Sequence, residues 1–177
     1  FNENVSIYVD KLPNSLTSLY LSFYFNESID NLPQSLKILD LGYSFNKPID
    51  KLPQSLKILD LGYSFNKPID KLPYGLERLS LHGCFDQSID NLPATLRILE
   101  ISGKFNKTIN KLPNNLQKLL LGDDFDQSVD NLPQSLQTLI IGNNFNHPVD
   151  NLPISLNKLK FFKIQVNLVN NKNPSWI

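Results

Sequence analysis

Carboxylates recur along this chain at a fixed spacing, and a line of carboxylates is one way to hold divalent cations. Asp10, Asp30, Asp50, Asp70, Asp90, Asp130 and Asp150 share one place in a twenty-residue period, with Asn110 at the remaining copy. If the copies stack like neighbouring strands, about 4.8 Å apart, these acids repel and raise one another's pKa. The other role for the column is local. It would be an Asx-type cap on the turn that follows, with Lys11, Lys51, Lys71 and Lys111 beside it to temper the charge. Calcium-binding repeats are rich in glycine, whereas this chain has 7 glycines in 177 residues. The cap is therefore the expected role, and no metal is expected.

A second polar column runs through Asn26, Asn46, Asn66, Asp86, Asn106, Asp126 and Asn146. Buried polar groups need partners, so these side chains are expected to form a ladder that satisfies backbone groups at a turn. Asp40 and Asp60 have the look of a catalytic carboxylate pair, but they occupy the same place in two identical copies and no pocket residues accompany them. His82 and Cys84 fall in one short segment, with Cys84 where a short polar residue is usual in such repeats. No enzyme and no cofactor are expected.

The elements that position these columns follow from the period itself. A Leu-Pro pair recurs eight times from Leu12-Pro13 to Leu152-Pro153 without an insertion, and Phe recurs from Phe25 to Phe145, with Val5 at the same place in the first copy. Residues 32–50 and 52–70 are identical, which points to recent duplication. In each copy six apolar positions, illustrated by Phe45, Ile49, Leu52, Leu56, Leu59 and Leu61, can line a core. The segment Ile58-Leu59-Asp60-Leu61-Gly62 alternates outward and inward, the signal of a short strand that ends at a glycine turn. Pro53 and its equivalents, with Pro48, Pro68 and Pro148, exclude a normal helix from the return path. An extended path with a single 3₁₀ turn near Pro53-Gln54-Ser55 is expected. One coil buries too little to fold alone, so the copies must stack. The expected fold is a β-solenoid of eight 20-residue coils, one short parallel strand per coil, with an extended or 3₁₀ convex side. Residues 1–4 are expected to be the remnant of an upstream segment, 5–164 the solenoid, and 165–177 a closing strand and tail, with Ile164, Val166 and Leu168 alternating and Trp176 near the end.

Composition narrows the function. Lys and Arg number 17 and Asp and Glu 17, for zero net charge, so nothing favours nucleic acid or an anionic membrane. No apolar run is long enough to span a bilayer, and a soluble chain is expected. One Cys forms no internal disulfide, and with two His it does not make a structural zinc set. No Met is present, even at position 1, so a fragment or processed form is expected. The glycosylation triplets at Asn4, Asn26 and Asn106 are what chance gives in so Asn-rich a chain.

The run Leu36-x-x-Leu39-x-Leu41 resembles the strand signature of leucine-rich repeats. Phe45-Asn46-Lys47-Pro48-Ile49, its copy Phe65-Asn66-Lys67-Pro68-Ile69 and the related Phe145-Asn146-His147-Pro148-Val149, with the iterated Leu-Pro-x-Ser-Leu, resemble the FNIP repeat family of social amoebae and giant DNA viruses. The interval from Phe to Leu-Pro is about two residues shorter than in the family's usual repeat, which would alter curvature and the convex path. The resemblance implies a leucine-rich-repeat-like solenoid with its strands on the concave face and an interaction role. In many family members an F-box precedes the repeats, which then hold the substrate of a ubiquitin ligase. It also implies a cytoplasmic or virion location; the richness in Asn, Ile and Lys fits the AT-rich genome of either source.

Outward strand positions differ most between copies: Ser18, Ile38, Ile58, Arg78, Ile98, Lys118, Thr138 and Lys158 in one column, and Tyr20, Asp40, Asp60, Ser80, Glu100, Leu120, Ile140 and Lys160 in the next. The expected contact residues for a protein partner are Ile38, Asp40, Tyr43, Ile58, Asp60, Tyr63, Arg78, His82, Ile98, Glu100, Leu120 and Ile140. The alternative is a structural component that self-associates end to end through uncapped coils.

Overall fold

Each copy gathers its apolar side chains on one side of a narrow loop of chain, and stacking the loops buries them. The structure, a computed structural model, describes residues 9–162. Every copy contributes one strand: β1 (Ser18–Tyr20), β2 (Ile38–Asp40), β3 (Ile58–Asp60), β4 (Arg78–Leu81), β5 (Ile98–Ile101), β6 (Lys118–Leu121), β7 (Thr138–Ile141) and β8 (Lys158–Phe161). They form one parallel sheet in sequence order. Each residue pairs with the one twenty places on, as Leu39 does with Leu59 and Asp40 with Asp60. Strand alternation turns Leu39, Leu59, Leu79, Leu99, Leu119 and Leu139 fully into the core, which leaves their neighbours on the other face of the sheet.

Two devices turn the chain out of the strand and back. Gly42 and Gly62 adopt φ of 68° and 71°, and a Cβ on Gly62 would run into the carbonyl oxygen of Gly42. Only glycine fits there without strain. On the return limb, the Leu56 amide donates to the Pro53 carbonyl at 3.2 Å, and the same bond recurs in every coil from Leu16 to Pro13 through Leu156 to Pro153. The expected turn at Pro53-Gln54-Ser55 is thus one i+3 bond, with extended chain on either side. A short 3₁₀ helix, Val9–Lys11, precedes β1; no sequence signal marked it.

Serine in the Leu-Pro-x-Ser-Leu run joins coil to coil. Ser35, Ser135 and Ser155 donate their hydroxyls to the carbonyls of Leu16, Leu116 and Leu136, at 2.6, 2.7 and 2.7 Å. Thr95 does the same to Leu76 at 2.8 Å.

The phenylalanine column forms a continuous stack inside the solenoid, from Phe25 to Phe145, with ring centroids 6.1 to 6.3 Å apart. Tyr43 and Tyr63, also one coil apart, lie 4.6 Å from each other with rings 3° from parallel. Equivalent points therefore separate more at the phenylalanines than at the tyrosines or at the strands, which run about 4.8 Å apart. The coils fan outward on the phenylalanine side, and the sheet with its tyrosines lies on the inner side of the curve.

Among the described residues, Val149, Leu152, Pro153, Leu156, Leu159 and Phe161 of the last coil line a cleft of about 600 Å³. The expectations for residues 1–4 and Val5, for a strand through Ile164, Val166 and Leu168, and for Trp176 lie outside the described residues. Among the described residues no helix is long and apolar enough to cross a membrane.

Candidate functional site

The inner sheet face carries side chains that the fold does not use for its core. Nine of the twelve expected contact residues sit at outward strand positions: Ile38 and Asp40 in β2, Ile58 and Asp60 in β3, Arg78 in β4, Ile98 and Glu100 in β5, Leu120 in β6 and Ile140 in β7. Parallel register makes them two rows across the strands. The remaining three, Tyr43, Tyr63 and His82, follow the strands in the turns.

The middle of the face is a network of paired charges. Glu100 accepts from Arg78 Nη2 at 2.9 Å and from Lys118 Nζ at 2.6 Å, so one carboxylate joins three strands. Burial, the largest influence on its pKa, pushes upward; the Lys118 hydrogen bond and the two cations together outweigh it and hold the carboxyl below the usual range.

Beside it, Asp60 Oδ2 lies 3.3 Å from His82 Nε2, and His82 Nδ1 lies 3.1 Å from Ser102 Oγ. The hydrogen bond to Asp60 raises the His82 pKa, burial opposes it, and the charges of Asp60, Glu100 and Asp40 add to the rise. For Asp60, burial again pushes upward as the largest influence. The His82 bond, the Gly62 amide and the charges of His82 and Arg78 overcome it, and the net shift is downward.

The order Asp60, His82, Ser102 is that of an acid–base relay to a hydroxyl. The Ser102 amide donates to the Leu81 carbonyl at 2.9 Å, and the chain of side-chain hydrogen bonds ties three coils together.

Asp40 and Asp60 have a structural task as well, which was not foreseen. Their Oδ1 atoms accept from the Gly42 and Gly62 amides, each at 2.9 Å, and so close the strand onto the glycine turn. Also unforeseen was the extent of the aromatic row, because Phe23 and Tyr24 belong to the least regular copy. Phe23 stacks on Tyr43 at 4.3 Å, Tyr43 on Tyr63 at 4.6 Å, and Tyr24 meets Phe23 edge-on at 5.0 Å. Aromatic residues twenty apart at 23, 43 and 63 were the available signal.

The two polar columns lie away from this face. The asparagine column forms the expected ladder: the amides of Asn46, Asn66, Asp86, Asp126 and Asn146 each donate to the side-chain oxygen of the column residue one coil earlier, at 2.8 to 3.1 Å.

The aspartate column departs from expectation. Lys51, Lys71 and Lys111 reach back to Asp30, Asp50 and Asp90 of the preceding coil, at 3.3, 3.6 and 3.2 Å. Asn91 and Asn151 donate likewise to Asp70 and Asp130. A donor thus stands between successive carboxylates, and mutual repulsion does not govern them. Asp130 is shifted downward, first by the Ser128 hydroxyl and then by Asn151. Among the described residues no three His, Cys, Asp or Glu side chains converge so as to hold a metal ion. Cys84 is a free, half-buried thiol.

Comparison with known proteins adds two likenesses. The family model described as FNIP Repeat matches residues 1–44, 25–64, 45–84, 105–142 and 128–163. The crystal structure of CroV588, a giant-virus protein described as a novel circular LRR protein structure, superposes with a TM-score of 0.53 at 33% identity, over 85% of this chain and 31% of that one. The chain thus spans less than a third of the length of CroV588. No curated protein matches the chain.

Proposed function

The chain belongs to the FNIP repeat family, and from that premise we propose that it is a non-catalytic solenoid that binds a protein partner on its inner sheet face. One observation carries the reading. Within coils that are otherwise close copies of one another, the outward strand column Tyr20, Asp40, Asp60, Ser80, Glu100, Leu120, Ile140 and Lys160 takes seven residue types in eight copies, and beside it Ile58 gives way to Arg78. A surface that varies on a constant frame is how a repeat protein acquires a particular partner. Exposed apolar side chains such as Ile58, set beside fixed charge pairs, suit a protein better than nucleic acid or a membrane. The finer role, substrate recognition in an F-box-type ubiquitin ligase adaptor, rests on the family resemblance.

The test is capture of a partner from an extract of the cells to which the protein is native. Ile58→Lys with Leu120→Lys should abolish capture, while Tyr74→Lys, at an exposed turn on the return limb, should leave it intact. Equal loss in both variants, or retention in both, overturns the inner face as the contact surface.

A second reading, end-to-end association, is favoured by the apolar cleft that Leu152, Leu156 and Leu159 line in the last described coil. It predicts that sedimentation of the pure protein depends on concentration, and a constant monomer mass would exclude it.

A further inference from the structure

We propose that the amino-terminal third of the inner face, built from Tyr20, Phe23, Tyr43, Ile58 and Asp40, holds an extended protein segment that presents arginine or lysine between apolar side chains. This deepens the protein-binding reading and rests on it.

Among the described residues, six of the ten exposed large apolar side chains, Tyr20, Phe23, Tyr24, Tyr43, Ile58 and Tyr63, lie in the first three coils, whereas Tyr74, Ile154, Phe161 and Phe162 are spread over the other five. A concentration of this kind marks a contact site. The aromatic row is also rigid before any partner arrives. Tyr43 is held between Phe23 and Tyr63, at 4.3 and 4.6 Å. The far side of Tyr63 packs so closely on the Gly83 backbone that a Cβ there would come within 2.5 Å of the ring. Rings that are already fixed lose little freedom on binding, which is why tyrosine anchors interfaces well. Because their faces cover one another, the stacked rings offer edges and phenol oxygens to a ligand. That arrangement suits apolar side chains along the edges, with a hydrogen-bond donor at the oxygens.

Charge selects what lies beside them. In β1 to β3 the outward positions are Ser18, Ile38, Ile58, Tyr20, Asp40 and Asp60, two acids with no cation. Asp60 is occupied by His82 and the Gly62 amide. Asp40 uses Oδ1 for the Gly42 amide, and its second oxygen accepts no hydrogen bond among the described residues. Lys37 and Lys57 stand at the other end of the strands, just before β2 and β3, and Lys57 is held by Glu77 at 3.0 Å. At the far end of the same face, β8 presents Lys158 and Lys160. A cationic segment is therefore drawn to the amino-terminal third and repelled from the last coil. The Asp40 carboxylate, in register with Tyr20 on the neighbouring strand, is a natural acceptor for a guanidinium or ammonium group.

The test uses a random-peptide phage library selected on the intact protein, followed by fluorescence anisotropy of a selected peptide. Recovered peptides should carry arginine or lysine flanked by apolar residues. Asp40→Asn, which keeps an acceptor for the Gly42 amide, and Tyr43→Ser should each weaken binding by about tenfold or more, as should replacing the peptide's cation by Glu. Leu120→Lys should change it little. Peptides without cation enrichment, binding indifferent to both amino-terminal variants, or recovery of no peptide overturns the proposal. Should binding be lost only in Leu120→Lys, the inner face still binds protein and the proposed location is wrong.

Discussion

Asp60 and His82 stabilise one another's charged forms, and each consequence for pH has its own sign. The His82 pKa is raised above its ordinary 6.5, so its contribution to stability is present in full below pH 6.5 and is lost as pH rises through the folded value. The Asp60 pKa is lowered below 3.8, so its contribution is present above pH 3.8 and is lost as pH falls through the folded value. Asp60→Asn should lower the His82 midpoint in an NMR titration and remove the loss of stability on the alkaline side. An unchanged midpoint would mean that the 3.3 Å contact does not operate in solution.

Glycine gives a second test at this scale. Gly62→Ala meets both a positive φ and the Gly42 carbonyl, and should cost roughly 1–3 kcal/mol in denaturant unfolding. Gly75 has ordinary φ, with its nearest contact the flexible Lys57 Nζ at 3.6 Å. Gly75→Ala should be neutral or stabilise by about 0.4–1 kcal/mol. The glycine turn was legible because Gly62 closes an alternating run. The bond from Asp60 to its amide was not, since an outward aspartate reads equally well as a surface charge.

Between coils, order comes from columns rather than from single contacts. Phe85 is fully buried and stacks on Phe65 and Phe105 at 6.3 and 6.1 Å. Phe85→Ala should cost about 3–5 kcal/mol, measured by chemical denaturation. Asn66 Oδ1 accepts from both the Asp86 amide at 3.1 Å and Gln87 Nε2 at 2.8 Å. Because that site is exposed and water can replace the acceptor, Asn66→Ala should cost only about 1 kcal/mol. Columns are what a periodic sequence displays best, so the strands, the core positions and the asparagine ladder could be read from spacing alone. The aspartate column could not. The lysine that meets Asp30 is Lys51, which in sequence is adjacent to Asp50; only the offset between coils decides which acid it reaches.

At the scale of the molecule, strands touch only their immediate neighbours, so the solenoid should tolerate loss of a whole coil. Deleting residues 65–84 keeps the period and should leave a cooperative melt at lower temperature. Deleting residues 65–74 brings the wrong faces together and should abolish that melt. Circular dichroism checks both. Eight parallel coils with strands on the inner side followed from the period and the family resemblance, and the difference in spacing between the phenylalanine and tyrosine stacks accounts for the curve physically. The proposed contact surface was legible only as a set of outward strand positions, because the stack of Phe23 on Tyr43 and the pairing of Arg78 and Lys118 with Glu100 depend on how neighbouring coils sit.

The central claim is that the inner face is where a protein partner is held. A photo-crosslinking amino acid placed at Ile98, in the middle of that face, and separately at Tyr74 on the return limb, tests it in native cell extract. Specific adducts from position 98 and none from position 74 are the predicted result. Adducts from position 74 alone, or from neither position, would contradict it.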